Sequence, residues 1–413
     1  MYEQIISMEN LKKAYLEVLT KLEEKGKSHS FRGFDGMDSF QTHVKSLAFL
    51  QTLQKELLSQ TPLLPVLKTY IPKKYSNEKR VIYLYTLKDR IKAQAIHRVL
   101  EPHFDSQLSE NLYSYRQSHP HYLAAKRVAK KYRKTWQDQY FWKGDISDYT
   151  ESIPHDALKK MLSQMGIDSK IQALLNLFIG NAVLEGNQLH QKSVGLITGV
   201  PLIGFFANWY LATMDHDCAP LVDFYLRVGD DFIAIDSDLR RIENFKQHVL
   251  KITEAKKLII KSTKTQGGAL RQPFTFLGYR FVEGKIQINP PSVKKTEQRW
   301  QAKLRFYPIS QTKKINYLTP KFYRKEDGIF FDFIQLLKAY RLVNDHAQMQ
   351  MISESFYKIL TRYFFKTYSS QKQNKTHQLV RSLNLPSLYK LYVQFYLGQK
   401  TLSELSVSRH QKT

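Results

Sequence analysis

Apolar residues change their spacing several times along this chain, and each change predicts an element. Through residues 1–60 they recur at helical intervals, as in MYEQIISMENLKKAYLEVL, with a break at HSFRGFDGMDSF (29–40) whose glycines and aspartates mark a loop. TPLLPVLKTYIPKK (61–74) carries three prolines, which suit extended chain. KRVIYLYT (79–86) reads as a strand, and LKDRIKAQAIHRVLEPHF (87–104) returns to the helical period. YFWKGDISDY (140–149) predicts a strand and a turn, and IPHDALKKML (153–162) opens a helix with Pro154 near its first turn. PLIGFFANWYLATMDHD (201–217) predicts one further helix, and FYLRVGDDFIAID (224–236) two strands around a turn. FTFLGYRFVEGKIQI (274–288) predicts a hairpin turning at Glu283-Gly284. From 291 onward the pattern is helical, with amphipathic stretches such as FFDFIQLLKAYRLV (330–343), so a boundary is expected near NPPS (289–292). No internal repeat is found.

Composition sharpens this picture. With 413 residues and 42% hydrophobic content, the chain can bury a large core and build two or three structural units. Lys and Arg number 63 against 37 Asp and Glu, a formal charge of +26. Residues 291–413 alone hold 22 Lys and Arg against 7 Asp and Glu. That excess calls for a polyanion, with nucleic acid the first candidate and an anionic membrane surface the second. No stretch approaches eighteen uninterrupted apolar residues, and the N-terminus lacks the basic start, apolar run and cleavage site of a secretory signal. Cys218 is the single cysteine, which excludes an intramolecular disulfide and a multi-cysteine zinc site and fits a reducing, cytoplasmic compartment. Beside MDHD it is either a metal ligand or a small buried hydrophobe. Thirteen histidines form no HExxH or other recognised ligand pair.

Against so positive a background, Asp230 and Asp231 stand out. Two aspartates in a turn can be merely solvated. An earlier strand, however, ends at Asp145, and a hairpin turn packed beside it would gather three carboxylates at one rim of a sheet. Such a cluster is costly unless divalent cations neutralise it, and hard oxygen donors select Mg²⁺ or Mn²⁺. Two ions roughly 3.5–4 Å apart stabilise the attacking and leaving oxygens of an in-line phosphoryl transfer.

The segments around these aspartates resemble, in order, those of bacterial reverse transcriptases related to group II intron enzymes and retrons. FDGMDSFQTH (34–43) is similar to the N-terminal GxDGM segment, and residues 71–104 to IPKxxGKxRPLxIPxxxDRxxQ. ENLYSYRQS (110–118) resembles ENSYGFRPG, and KGDISDYTESIPHDAL (143–158) resembles DIxxFFxSIPH. GLITGVPLIGFFANWYL (195–211) is similar to GxPQGxPLSPLLANIYL, and RVGDDF (227–232) stands where RYADDF is usual. KSTKTQ (261–266) and FTFLGYRF (274–281) resemble the EKT and FxFLGYxF segments that follow.

The resemblance implies an α+β right-hand polymerase. Its parts would be an N-terminal helical extension (1–65), fingers (66–140), and a palm of antiparallel sheet and helices (141–290) with a fingers insertion at about 160–200. A basic helical thumb and C-terminal region (291–413) would follow. It further implies that Asp145, Asp230 and Asp231 hold two Mg²⁺ ions, or Mn²⁺, with the Ile146 carbonyl an extra ligand. Lys79 and Arg80 would reach the incoming triphosphate, since cations of these two shapes suit phosphate oxygens, and Arg116 would support nucleotide or template nearby. Gly195 and Gly199 would let backbone approach the new base pair. Asn208 is either a packing amide or an organiser of the nucleotide site. Lys264 is either a proton donor to pyrophosphate or a surface lysine. Phe276, Leu277, Gly278 and Tyr279 would grip the primer end, although packing explains the Phe and Leu equally well.

Three departures bear on function. Thr150 stands where the family carries an aromatic gate against the ribose 2′-hydroxyl, with Tyr149 before it; relaxed dNTP over rNTP discrimination is expected unless Tyr149 fills the gap. Val228 replaces the tyrosine of YxDD, and Ile197-Thr198 replaces Pro-Gln. The resulting expectation is an RNA-directed DNA polymerase, working in bacterial antiviral defence with a structured non-coding RNA as partner and nascent DNA as product. A short basic aromatic segment, LVRSLNLPSLYKLYVQFYLG (379–398), would help bind that RNA through phosphates and stacking. Template-independent or protein-primed polymerisation is the alternative, and a non-catalytic RNA-binding maturase-like scaffold a second. An accessory protein or a homo-oligomer stays open; a membrane is not expected.

Overall fold

A computed structural model describes residues 1–24, 35–36, 46–72, 79–305, 329–382 and 387–396. The GxDGM-like segment therefore lies outside the described residues except for Asp35 and Gly36, as do parts of the 29–40 loop and of 379–398. Two compact units divide the chain: Met1–Arg127 with Asp138–Leu270, and Val128–Gln137 with Arg271–Thr413.

Among its described residues the first unit holds eight strands: β1 (Val66–Pro72), β2 (Lys79–Leu84), β3 (Tyr140–Asp145), β4 (Val183–Glu185), β5 (Gln188–His190), β6 (Phe224–Val228), β7 (Asp231–Asp236) and β8 (Gln266–Ala269). They form two sheets, of order β2-β1-β4-β5 and β6-β7-β3-β8. The second sheet is antiparallel throughout. Its strand β7 is apolar at four successive positions, Phe232 to Ile235, because both faces are covered and all four are fully buried. The helix Leu239–Ala255 covers one face, with the Phe245 ring 6.0 Å from Trp142 and 5.5 Å from Tyr225. The helix Leu87–Phe104 runs where the periodicity predicts it. Thr86 caps it: its hydroxyl accepts the Asp89 N–H at 3.1 Å and donates to the Asp89 carboxylate at 2.8 Å. Ile91, Ala93, Ala95, Ile96 and Leu100 are all fully buried on it. The N-terminal helices lock on through Asn10, whose amide donates to the Ala95 carbonyl at 3.0 Å.

Two elements differ from their predictions: the hairpin expected over 274–288 has a third strand, and a helix is broken. The single helix expected over 201–217 is two, Leu202–Tyr210 and Ala212–Cys218, parted at Leu211 (φ −107°, ψ 8°). Both pieces are apolar at helical spacing, so periodicity alone runs through the break. The turn between them lets the second piece carry Asp215 to a wholly buried ion pair with Arg227.

The second unit contains β9 (Phe274–Phe276), β10 (Tyr279–Val282) and β11 (Lys285–Ile288), ordered β11-β10-β9. Its hairpins turn at Leu277-Gly278 and Glu283-Gly284, and all four residues have positive φ (48°, 83°, 48° and 75°). That is the two-residue turn whose twist matches antiparallel strands. The free edge of β11 is closed by Asn344, through its side chain and its backbone N–H, and by the Gln348 side chain. Asn344 bonds both backbone groups of Ile286 (2.7 and 3.1 Å), and Gln348 both those of Ile288 (2.8 and 2.8 Å). This small sheet is thus tied to the helices that follow it, and the division between units falls at Leu270, before the NPPS boundary expected from composition. Phe274 and Phe281 stack at 4.8 Å beneath Tyr132. The helices Pro290–Arg305 and His346–Phe365 meet through Trp300 and Phe356, ring centroids 5.0 Å apart.

Candidate active site

Strands β3 and β7 pair in a register that sets Asp145 opposite Asp231 at the end of the sheet. Strand β6 returns on the other side of β7, with Val228 opposite Asp231, leaving Gly229 and Asp230 as the two turn residues. Gly229 sits at φ 65°, the conformation such a turn asks of its first residue. The backbone then knits the three segments together. Ile146 N–H donates to the Asp230 carbonyl at 3.1 Å, and Lys261 N–H to the Asp145 carbonyl at 2.8 Å. That second bond brings in the turn Ser262–Lys264, whose Lys264 ammonium donates to the Asp145 carboxylate at 2.6 Å.

These carboxylates feel one another. Burial, then the charges of Asp230 and Asp145, push the Asp231 carboxyl up to about 7, with Lys264 opposing. Asp230 is also raised, first by burial and then by Asp145, against its own backbone hydrogen bond. Its hydrogen bond to Asp145 holds the Lys264 ammonium above its ordinary value. Lys143, two residues before Asp145 on β3, is depressed by burial and donates to the Lys264 carbonyl at 2.9 Å.

Beneath the turn lies a rigid floor. The Arg227 guanidinium grips Asp215 through two bonds, 2.7 and 2.6 Å, and also donates to the Gly229 carbonyl at 2.8 Å. Tyr225 gives Asp215 a third donor at 2.7 Å. Neither charged side chain has any exposed surface. Asp215 and this role of Arg227 escaped the sequence reading; the arginine immediately before the Val-Gly-Asp-Asp turn was the available signal.

The remaining site residues fall in two groups. Lys79 and Arg80 open β2 with exposed side chains. Gly199 has φ 129°, and a Cβ there would lie 3.1 Å from the Tyr83 carbonyl; at Gly195 (φ 90°) it would lie 2.6 Å from that of Glu151. Thr150 is half-buried, its carbonyl accepting the Leu196 N–H at 2.7 Å. By contrast, Tyr149 does not fill the gap beside Thr150: it is buried, and its hydroxyl donates to the Ala207 carbonyl. Arg116 differs from its expected role too. All five of its donors go to Asp105 and to the carbonyls of Asp105, Ser109 and Leu112, which leaves none for a triphosphate. Asn208 is buried and exchanges hydrogen bonds with Ser114 at 2.7 and 2.9 Å, the packing alternative. Phe276, Leu277, Gly278 and Tyr279 belong to the second unit, where Phe276 and Tyr279 are buried about their turn.

Among the described residues no three His, Cys, Asp or Glu side chains gather closely enough to form a metal site outright. Unneutralised carboxylates repel, and here the Lys264 ammonium stands against Asp145 as the countercharge. The donors still fit a hard divalent cation. They are carboxylate oxygens, and Asp231 is raised by burial and by the charges of Asp230 and Asp145, which a bound cation would offset.

Residues 71–281 match the family described as reverse transcriptase (RNA-dependent DNA polymerase). The chain belongs to that family. This reverse transcriptase is similar to Protein YkfC of Escherichia coli (strain K12), 23% identical over 304 residues that cover 64% of this chain and 79% of YkfC. It is also similar to the group II intron-encoded protein LtrA of Lactococcus lactis subsp. cremoris, 26% identical over 151 residues. That match covers 37% of this chain and only 25% of LtrA. The family match makes the chain an RNA-directed DNA polymerase of mixed α and β structure, and both relatives are bacterial. No helix among the described residues is long and apolar enough to cross a membrane.

Proposed function

We propose that this reverse transcriptase extends a DNA strand on RNA at the β3–β7 sheet end, using two Mg²⁺ ions held by Asp145, Asp230 and Asp231. The observation that carries the proposal is the pairing of Asp145 with Asp231 across the sheet, with Asp230 on the adjoining turn. When bound, the two ions would activate the primer 3′-hydroxyl and neutralise the departing pyrophosphate. The chain's own residues do the rest. Asp145, Asp230 and Asp231 supply the oxygen donors, with the Ile146 carbonyl as a further one. Lys264, released from Asp145, becomes a mobile cation and proton donor beside the leaving group. Lys79 and Arg80 draw in the triphosphate tail of the dNTP, and Gly195 and Gly199 let the backbone pass close to the new base pair.

In this proposal the first unit contributes palm and fingers of a right hand and the second its thumb. The setting is antiviral defence in a bacterial cytoplasm, with one dedicated structured non-coding RNA as template. The formal charge of +26 supports a long nucleic-acid footprint. The departures at Thr150, Val228 and Ile197-Thr198 support a specialised template over arbitrary RNA. The test is to purify the protein with its bound nucleic acid and sequence both strands, beside a double variant carrying Asp230→Ala and Asp231→Ala. The expected result is one RNA species in both preparations and complementary DNA in the wild type alone. DNA in the double variant, or heterogeneous RNA in the wild type, would overturn the corresponding part. Incorporation assays with matched dNTPs and rNTPs test the open place at Thr150; strict rejection of rNTPs removes relaxed discrimination.

A further inference from the structure

We infer that Tyr115 is a substrate-contacting specificity residue, whose ring packs against the 3′-terminal nucleotide of the growing strand. The inference rests on the proposed polymerase reading and adds a side chain to it that the resemblance does not assign.

The segment Leu112–Arg116 is bound down at almost every position. Leu112, Tyr113, Ser114 and Arg116 are buried, while Tyr115 between them is 60% exposed. Tyr113 N–H donates to the Arg227 carbonyl and Arg227 N–H to the Asn111 carbonyl, both at 2.9 Å, so the segment runs beside β6 like an added strand. Ser114 is held by Asn208, and Arg116 spends every donor on the turn around it. Tyr115 itself is held at φ 52°, a conformation that costs a tyrosine free energy and that only its well-fixed neighbours can enforce. Its ring lies on Gly204, where a Cβ would come within 2.5 Å of the ring's Cγ. A glycine has therefore made room for a ring that turns most of its surface outward.

What the ring faces follows from strand order. In β6-β7-β3-β8, Asp145 lies on the β3 side of the aspartate turn, while the Tyr149 hydroxyl returns to Ala207 on the helix that also carries Gly204. Tyr115 lies on the opposite side, beyond β6, and Arg227 ties that strand to Gly229 in the turn. Burial and the negative charge of Asp230 both raise its phenol, which sets the hydroxyl within electrostatic reach of the turn. On the proposed reading the end of the strand being extended sits at this turn, beside the ring. Val228, the nearest alternative there, is buried and offers no ring. A fixed exposed aromatic beside an unstacked strand end is a packing surface for sugar and base.

The test uses the full-length protein with an RNA template annealed to a DNA primer ending in 5-iodo-2′-deoxyuridine. Irradiation is expected to crosslink the primer terminus to Tyr115, and Tyr115→Ala to abolish that crosslink. In extension assays Tyr115→Ala should lower kcat/KM about 10- to 100-fold, chiefly through KM for primer–template, and raise extension of mismatched ends. Tyr115→Phe keeps the ring and should stay within about threefold. Gly204→Ala should act like Tyr115→Ala by unseating the ring, and should add nothing in a Tyr115→Ala background. Thermal melts separate these effects from loss of fold. An active wild type that gives no crosslink at Tyr115 overturns the inference, as does a Tyr115→Ala loss confined to kcat. A wild type that crosslinks at Tyr115 but extends nothing would leave the contact standing and remove the polymerase reading; one that does neither removes both.

Discussion

Two ion pairs flank the aspartate turn, one above it and one below, and they have the same length. Lys264 meets Asp145 at 2.6 Å, and Arg227 meets Asp215 at 2.6 Å. Burial separates them. The lysine side chain is 54% exposed, whereas neither Arg227 nor Asp215 has any exposed surface. An exposed ammonium on a flexible stem exchanges its partner readily, and such pairs contribute little to stability. A bidentate guanidinium sealed in the core cannot leave without stranding a charge. The upper pair is therefore a removable countercharge at the aspartate turn, and the lower pair is a fixed prop under its backbone.

Breaking the acid of each pair should separate the two roles. Asp145→Asn is expected to lower nucleotide addition about 10³-fold. Its melting temperature should be unchanged or higher, because repulsion with Asp231 is relieved. Single-turnover incorporation and a thermal melt on the same preparation check this; a variant that melts much earlier would make Asp145 a structural residue. Asp215→Asn should do the reverse and cost about 3–5 kcal/mol of stability, since it leaves Arg227 charged and unpaired in the core. Denaturant unfolding measures that loss, and a shift below about 1 kcal/mol would mean the floor is not what holds the turn.

Next in size is the cation of the upper pair. Lys264→Met should lower kcat about 10²-fold if the ammonium donates a proton to pyrophosphate. It should also reduce the Mg²⁺ concentration needed for half-maximal rate, because the competitor on Asp145 is gone. A normal kcat with that lower requirement would leave Lys264 as countercharge only.

These contrasts also explain what could be read in advance. The strand, turn and strand over 224–236 were legible because Gly229 between two runs rich in aromatic and β-branched residues specifies a tight hairpin. The meeting of Asp145 with Asp231 was legible because one closes and the other opens an apolar strand of the same antiparallel sheet. The helix break at Leu211 was not, since both halves keep one apolar period and no proline or glycine marks the joint. Nor were the fates of Arg116 and Tyr149. Both letters suit a nucleotide site, and what diverts them is a partner the local pattern does not announce: Arg116 turns back to Asp105, and Tyr149 to the distant Ala207 carbonyl. Tyr115 passed unnoticed for the opposite reason, because its exposure depends on Gly204, far away in the chain.

The smallest expected effect is on stability against pH, and it tests the charge balance of the upper site directly. Asp231 is raised from an ordinary 3.8 to about 7 by burial and by Asp230 and Asp145. Folding therefore favours its protonated form, so its contribution to stability is complete below about pH 4 and is lost as pH rises through about 7. In EDTA the protein should lose stability across that window. Asp231→Asn, which cannot titrate, should show a shallower decline. Mg²⁺ should restore most of the lost stability near pH 8, where the carboxylates are ionised, and little near pH 5. Arg227 does not share this window: the guanidinium is raised further above an already high value and stays charged throughout. Denaturant midpoints at four pH values, with and without Mg²⁺, check the sign. A Mg²⁺ effect equal at pH 5 and pH 8 would detach cation binding from the aspartates and place it elsewhere on the molecule.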